Sequence, residues 1–89
     1  MMAKRGKLMW KVLGGRSDAN IRFSELCQLL RALGFDERTK GSHHIFFRDG
    51  VEELVNLQEV GGLAKVYQVQ QVRRIILRHG LSGEIDGEV

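Results

Sequence analysis

The chain has 89 residues, with 14 Lys and Arg against 11 Asp and Glu, 11 Gly, one Cys and no Pro. That length makes one domain, burying roughly 60–65 % of the surface its unfolded chain exposes, and excludes an enzyme with a separate cofactor domain. Apolar runs stop at three residues, as in Ile45-Phe46-Phe47, against the ~20 a membrane-spanning helix needs.

The first predicted element is a short helix over Lys7–Leu13, with Leu8, Met9, Val12 and Leu13 on one stripe and Gly14-Gly15 ending it. Arg16 to Asn20 reads as a polar linker. A stronger helix follows, with Ser24 as the expected N-cap and Glu25 in the first turn, where the helix dipole favours an acid. Leu26, Leu29, Leu30 and Leu33 then recur at helical spacing, and Gly34 supplies the stop.

Three strands are expected next: about Phe35–Thr39, about Ser42–Arg48 and about Glu53–Gln58. Lys40-Gly41 and Asp49-Gly50 are the turns between them. From Lys65 the helical pattern returns. Val69, Val72 and Ile76 form a stripe widened by Ile75, with Gln70, Gln71, Arg74 and Arg78 outward and His79-Gly80 closing it. The chain thus divides into a basic segment 1–20, a domain 21–81 and an acidic tail 82–89, expected to be disordered. Two striped helices and a three-stranded meander predict a two-layer α+β sandwich with one sheet face covered and the other free.

Charge is polarised along this layout. Residues 1–16 carry five bases and no acid, residues 81–89 three acids and no base, and nine bases face eight acids between them. A basic arm on a near-neutral body suits a polyanion, although short charged ends are often just solvated. Lys11 breaks the apolar stretch after Lys4 and Arg5, so no secretory leader is expected, and a lone Cys fits a reducing, cytoplasmic setting.

The densest chemistry is Gly41-Ser42-His43-His44-Ile45-Phe46. Alternation puts His43, Ile45 and Phe47 on one face and His44, Phe46 and Arg48 on the other. Both faces hold an aromatic, so alternation leaves open which is buried. The two histidines point apart and share no ligand spacing with Cys27 or His79, so no metal site is expected. Cys27, set among the leucines, reads as a core thiol rather than a nucleophile. An exposed strand histidine can move protons near neutral pH, although a histidine without chemistry is the commoner case. Lys65, at the start of the last helix, suits a phosphate or plain solvent. Trp10 can stack a base, but packing its helix onto the core is the expected role.

These residues resemble a family. Phe23-Ser24-Glu25-Leu26 with Leu29-Leu30, Leu33-Gly34-Phe35, and Gly41-Ser42-His43-His44 with Phe46 are similar to the HicA (YcfA-like) toxins. The likeness runs on through Leu54–Leu57 to His79-Gly80-Leu81, over about residues 22–81, with Asn20-Ile21-Arg22-Phe23 and Gly61-Gly62 resembling a longer branch with an N-terminal extension. The resemblance implies a double-stranded-RNA-binding-domain-like fold, α-β-β-β-α with an extra short N-terminal helix here. It implies an endoribonuclease cleaving mRNA without metal or cofactor, the toxin of a type II toxin–antitoxin pair. The free toxin would be a monomer, and a HicB-like antitoxin would hold it in a hetero-oligomer. His43 falls at the family's catalytic histidine and Gly41 at the Gly of the preceding turn. Phe46 falls at the buried aromatic of the second strand, whose odd separation from His43 turns that histidine outward. RNA or phosphate contacts are expected from Lys40, Gly41, Ser42, Arg48 and Lys65, with Arg48 on the opposite face from His43. Many relatives carry a His-Pro pair after the third strand, where this chain has Gln58-Glu59. The alternative is therefore a non-catalytic RNA-binding module of the same fold.

Overall fold

β-Branched and aromatic residues between two glycine turns make a three-stranded antiparallel meander: β1 (Asp36–Lys40), β2 (His43–Arg48) and β3 (Val51–Gln58), in that spatial order. The computed structural model describes residues 4–83, and side chains from residue 6. Three helices accompany the sheet: α1 (Lys4–Gly14), α2 (Phe23–Ala32) and α3 (Val66–Arg78). The molecule is a small α+β unit whose order after α1 is α-β-β-β-α, as the sequence predicts.

One core joins the elements. Leu26, Leu29 and Leu30 from the second helix and Leu33 at its C-cap meet Val69, Val72, Ile75 and Ile76 from the third and Phe46, Val55 and Leu57 from the sheet. Leu8, Met9 and Val12 of α1 enter the same core, so the N-terminal helix is packed against the rest. Its predicted stripe is correct, and the helix extends further at its start than Lys7–Leu13. Trp10 corrects the sequence reading: it is 66 % exposed. At 100° per residue it lies ~130° round the helix from the middle of the stripe, so burying Leu8, Met9 and Val12, with Leu13 partly buried beside them, turns the indole out.

The start of α2 also differs. Arg22, in extended conformation, is the N-cap in place of Ser24, and its backbone N–H donates to Glu25 Oε1 at 2.9 Å. Beginning the helix at Phe23 lets that ring enter the core and leaves Glu25 three residues after the cap, where a carboxylate can reach back. Gly34, at φ +83°, ends the helix in the left-handed conformation that glycine adopts without strain.

The polar linker is not loose. Asp18, in a short 3-10 turn, takes two hydrogen bonds from the Arg73 guanidinium, at 2.9 and 3.1 Å, and Arg73 also donates to the Val12 carbonyl at 3.1 Å. One arginine thus fastens the end of α1, the linker and α3 together. At the other end of the chain Leu81 is buried in a last turn over residues 81–83. The tail expected to be disordered lies, from residue 84 onward, outside the described residues. No helix among the described residues is long and apolar enough to cross a membrane.

Candidate functional site

The turn between β1 and β2 sets the geometry. Lys40 pairs directly with His43, so the loop is only Gly41-Ser42. Gly41 takes φ +62° and Ser42 stays on the negative side, the pattern of a hairpin turn with glycine first, whose twist matches that of the strands. A side chain at Gly41 would strain that backbone. The tight loop puts Lys40 beside His43, since directly opposed residues have Cβ atoms about 5 Å apart.

The two histidines occupy different worlds. His43 is exposed on the open face of the sheet, with Lys40 opposite on one side and Gln58 on the other. Its Nδ1 lies 3.2 Å from Asn56 Oδ1. A carboxamide oxygen only accepts, so Nδ1 carries the proton, and Nε2 is left with its lone pair toward solvent. In the neutral ring this leaves Nε2 as the nitrogen able to accept a hydrogen bond or a proton. Ser42 is held as well, its Oγ accepting from Gln58 Nε2 at 3.3 Å.

His44 points the other way, where it is half-buried edge-on to Phe23, with ring centroids 5.1 Å apart. Its Nδ1 is 2.6 Å from Glu37 Oε2, and Glu37 Oε1 accepts from Arg31 Nε and Nη2 at 2.9 and 2.6 Å. Partial burial pushes the Glu37 carboxyl up. The hydrogen bonds from His44 and Arg31, together with their charges, outweigh this and hold it below the ordinary carboxylate value. Glu37 thus joins the half-buried His44 to Arg31, whose side chain stays exposed at the outer end of the group.

The remaining predicted residues separate. Phe46 is fully buried and His43 stands opposite to it, as expected. Arg48 lies away from His43: its Nη1 donates to the Leu33 carbonyl at 2.7 Å, tying β2 to the end of α2. The β2–β3 register shifts between Phe46 and Arg48, which pair with Val55 and Val51 respectively, so β3 carries two extra residues there. An even insertion keeps the faces in phase, and Arg48 stays on the helix side. Lys65 is the N-cap residue of α3, its backbone N–H donating to Gln68 Oε1 at 3.1 Å and its ammonium 6.0 Å from the Tyr67 ring centroid. It belongs to the helical layer rather than to the open face.

Two residues beyond the predicted set join the open face. Asn56 holds His43, and Arg38 lies 5.8 Å over the Phe47 ring. Arg38 was accessible from alternation along β1, since it is two residues from Lys40. Asn56 pairs with Ile45 and lies diagonal to His43, and that the two side chains bond needed the structure. The face therefore presents Lys40, Arg38 and His43 beside the flat apolar surface of Ile45 and Phe47, with Leu54, 60 % exposed, on β3.

Other chemistry is quiet. Cys27 is buried, and desolvation pushes its thiol up to about 11, offset only in part by Arg31, which disfavours the thiolate at neutral pH. Among the described residues, no three His, Cys, Asp or Glu side chains are grouped to hold a metal ion. A shallow groove along α3, lined by Glu53, Gln71, Arg74, Ile75, Leu77 and Arg78, contains none of the predicted site residues. There Glu53 accepts from His79 and Arg78 at 2.9 and 3.3 Å. The His79 bond and the residue's own backbone N–H lower its carboxyl. No protein-family model, curated protein or solved structure matches the chain.

Proposed function

We propose that the protein is a HicA-like endoribonuclease with a double-stranded-RNA-binding-domain-like fold, in which His43 is the general base. The observation that carries the reading is the Nδ1-anchored, outward His43 with Lys40 opposite it in a glycine-led turn. His43 Nε2 removes the proton of an RNA 2′-hydroxyl. The freed oxygen attacks the adjacent phosphorus, the bond to the 5′-oxygen breaks, and that oxygen takes a proton from water. The products are a 2′,3′-cyclic phosphate and a 5′-hydroxyl. Lys40 meets the charge gathering on the phosphoryl oxygens, and the Gly41-Ser42 backbone lets a phosphate approach closely. A HicB-like antitoxin is the partner this reading implies, with mRNA as substrate in the cytoplasm.

The test is incubation of the purified protein with RNA in a chelator, with the ends of the products analysed. Cyclic-phosphate ends that vanish with His43→Ala support the proposal. Cleavage by His43→Ala at the parent rate would falsify it. A second reading, RNA binding without cleavage, is favoured by one observation: Gln58, which cannot titrate, stands opposite His43 near where many HicA relatives carry a second histidine. It predicts salt-sensitive binding and intact RNA.

A further inference from the structure

The site on the sheet makes no use of α1, yet α1 carries the only tryptophan in the chain. Once Leu8, Met9 and Val12 are buried, the helix presents Lys7, Trp10, Lys11 and Gly14 within one sector of its outer surface. Trp10 is 66 % exposed and Lys7 is exposed beside it. Lys11 is steered by its bond to the Asn20 carbonyl at 2.9 Å. The positions one turn before and after Trp10 are both glycine, Gly6 and Gly14. A Cβ at Gly14 would meet nothing within 4 Å. Glycine is a poor helix former, and here its effect is to leave the indole uncovered along the helix. The helix sequence, Lys4 to Gly14, contains four bases and no acid.

We infer that the outer face of α1 is a second contact for single-stranded RNA, in which a base stacks on Trp10 and neighbouring phosphates meet Lys7 and Lys11. An open aromatic with cations beside it is what a strand requires: every base offers a flat face, and the backbone supplies the anions. Charge complementarity selects this occupant. A second copy of the chain would bring an equally basic helix against this one. The inference rests on RNA as the ligand of the sheet site, and it extends the footprint beyond the scissile phosphate.

Trp10 is its own probe. In the full-length chain carrying His43→Ala, so that nothing is cut, a short single-stranded oligoribonucleotide is titrated in chelator. Its anisotropy and the tryptophan emission are followed together. Saturation should quench the emission. Adding Trp10→Ala should weaken binding by roughly 5- to 150-fold, the range that loss of one base–aromatic stack gives. Lys7→Gln should flatten the salt slope by about 0.7, the share of one single-strand phosphate. Unchanged emission while anisotropy reports binding overturns the inference. So does equal affinity with Trp10→Ala, or self-association that the substitution abolishes. Cleavage by the parent protein is scored separately. Cleavage without quenching removes the inference and leaves the ribonuclease reading, whereas quenching without cleavage does the reverse.

Discussion

Residues 43 and 44 are the same amino acid on adjacent positions of one strand, and the two faces of the sheet give them opposite properties. On the helix side His44 is locked between Phe23 and Glu37, and Glu37 is held in turn by Arg31. On the open side His43 has one anchoring contact and a free ring nitrogen. The contacts on the helix side hold His44 in place, whereas the open face leaves His43 accessible to solvent. Neighbours in sequence therefore meet different surroundings by face alone.

The largest expected effect is on rate. Under the proposed mechanism, His43→Ala should lower RNA cleavage by about 10²–10⁴-fold, the range for loss of a general base, with the denaturation midpoint unmoved. His44→Ala should do the converse, lowering stability by roughly 1–2 kcal/mol through the lost Glu37 bond and the Phe23 contact, and leaving the cleavage of folded protein in place. Equal losses of rate from both would erase the distinction between the faces.

The next contrast uses the neighbouring aromatics. Phe46 is completely buried among Leu and Val side chains, so Phe46→Ala should cost about 3–5 kcal/mol in chemical denaturation. Phe47, half-exposed under Arg38 on the open face, should cost no more than about 1 kcal/mol when replaced by Ala. A Phe47→Ala loss as large as that of Phe46→Ala would mean that the open face is part of the core.

How much of this was legible follows from where each signal resides. The α2 stripe, the glycine stops and the β1–β2 hairpin are written locally, in spacing and turn residues, and all are found. Trp10 shows a general preference, that tryptophans pack, losing to a local one: the stripe of Leu8, Met9 and Val12 already turned the indole outward. Asp18 and Arg73 are 55 residues apart, so nothing near the linker announces that it is pinned. An unbroken count from the Arg48–Val51 pair would set Asn56 directly opposite His43. The two-residue insertion in β3 moves it opposite Ile45, diagonal to His43 on the same face, so only the side-chain geometry shows that the two bond. The twofold alternation that assigns His43 outward runs along β2 and is untouched by an insertion in β3, which, being even, keeps the β3 residues on either side of it in phase.

The closed face also carries a pH signature. The Glu37 carboxyl lies below its ordinary value of 4.5 in the folded protein. A lowered carboxylate binds its proton more readily unfolded than folded. Its contribution is therefore complete above the unfolded value and is lost as the pH falls through the lower folded one. Denaturation midpoints measured from neutral pH down into the acid range should fall more steeply for the parent than for Glu37→Gln, whose amide does not titrate there. Parallel profiles would show that the His44–Glu37–Arg31 network contributes nothing through ionisation.

The smallest effect asks whether His43 is positioned or merely exposed. Asn56 touches no substrate in the proposed mechanism and acts through the ring it holds. With Asn56→Ala the imidazole loses its side-chain anchor, both tautomers become available, and the Nε2 lone pair is presented for part of the time. Cleavage should fall several-fold, up to about tenfold, far less than with His43→Ala. Asn56→Asp should restore the orientation, because a carboxylate accepts from Nδ1–H as the amide oxygen does. It should also move the acid limb of the rate profile to higher pH, because the added negative charge favours the imidazolium. A merely structural asparagine predicts neither the rescue nor the shifted limb. Parent-level cleavage with Asn56→Ala would show that the Asn56 contact does not position His43 for the proposed step.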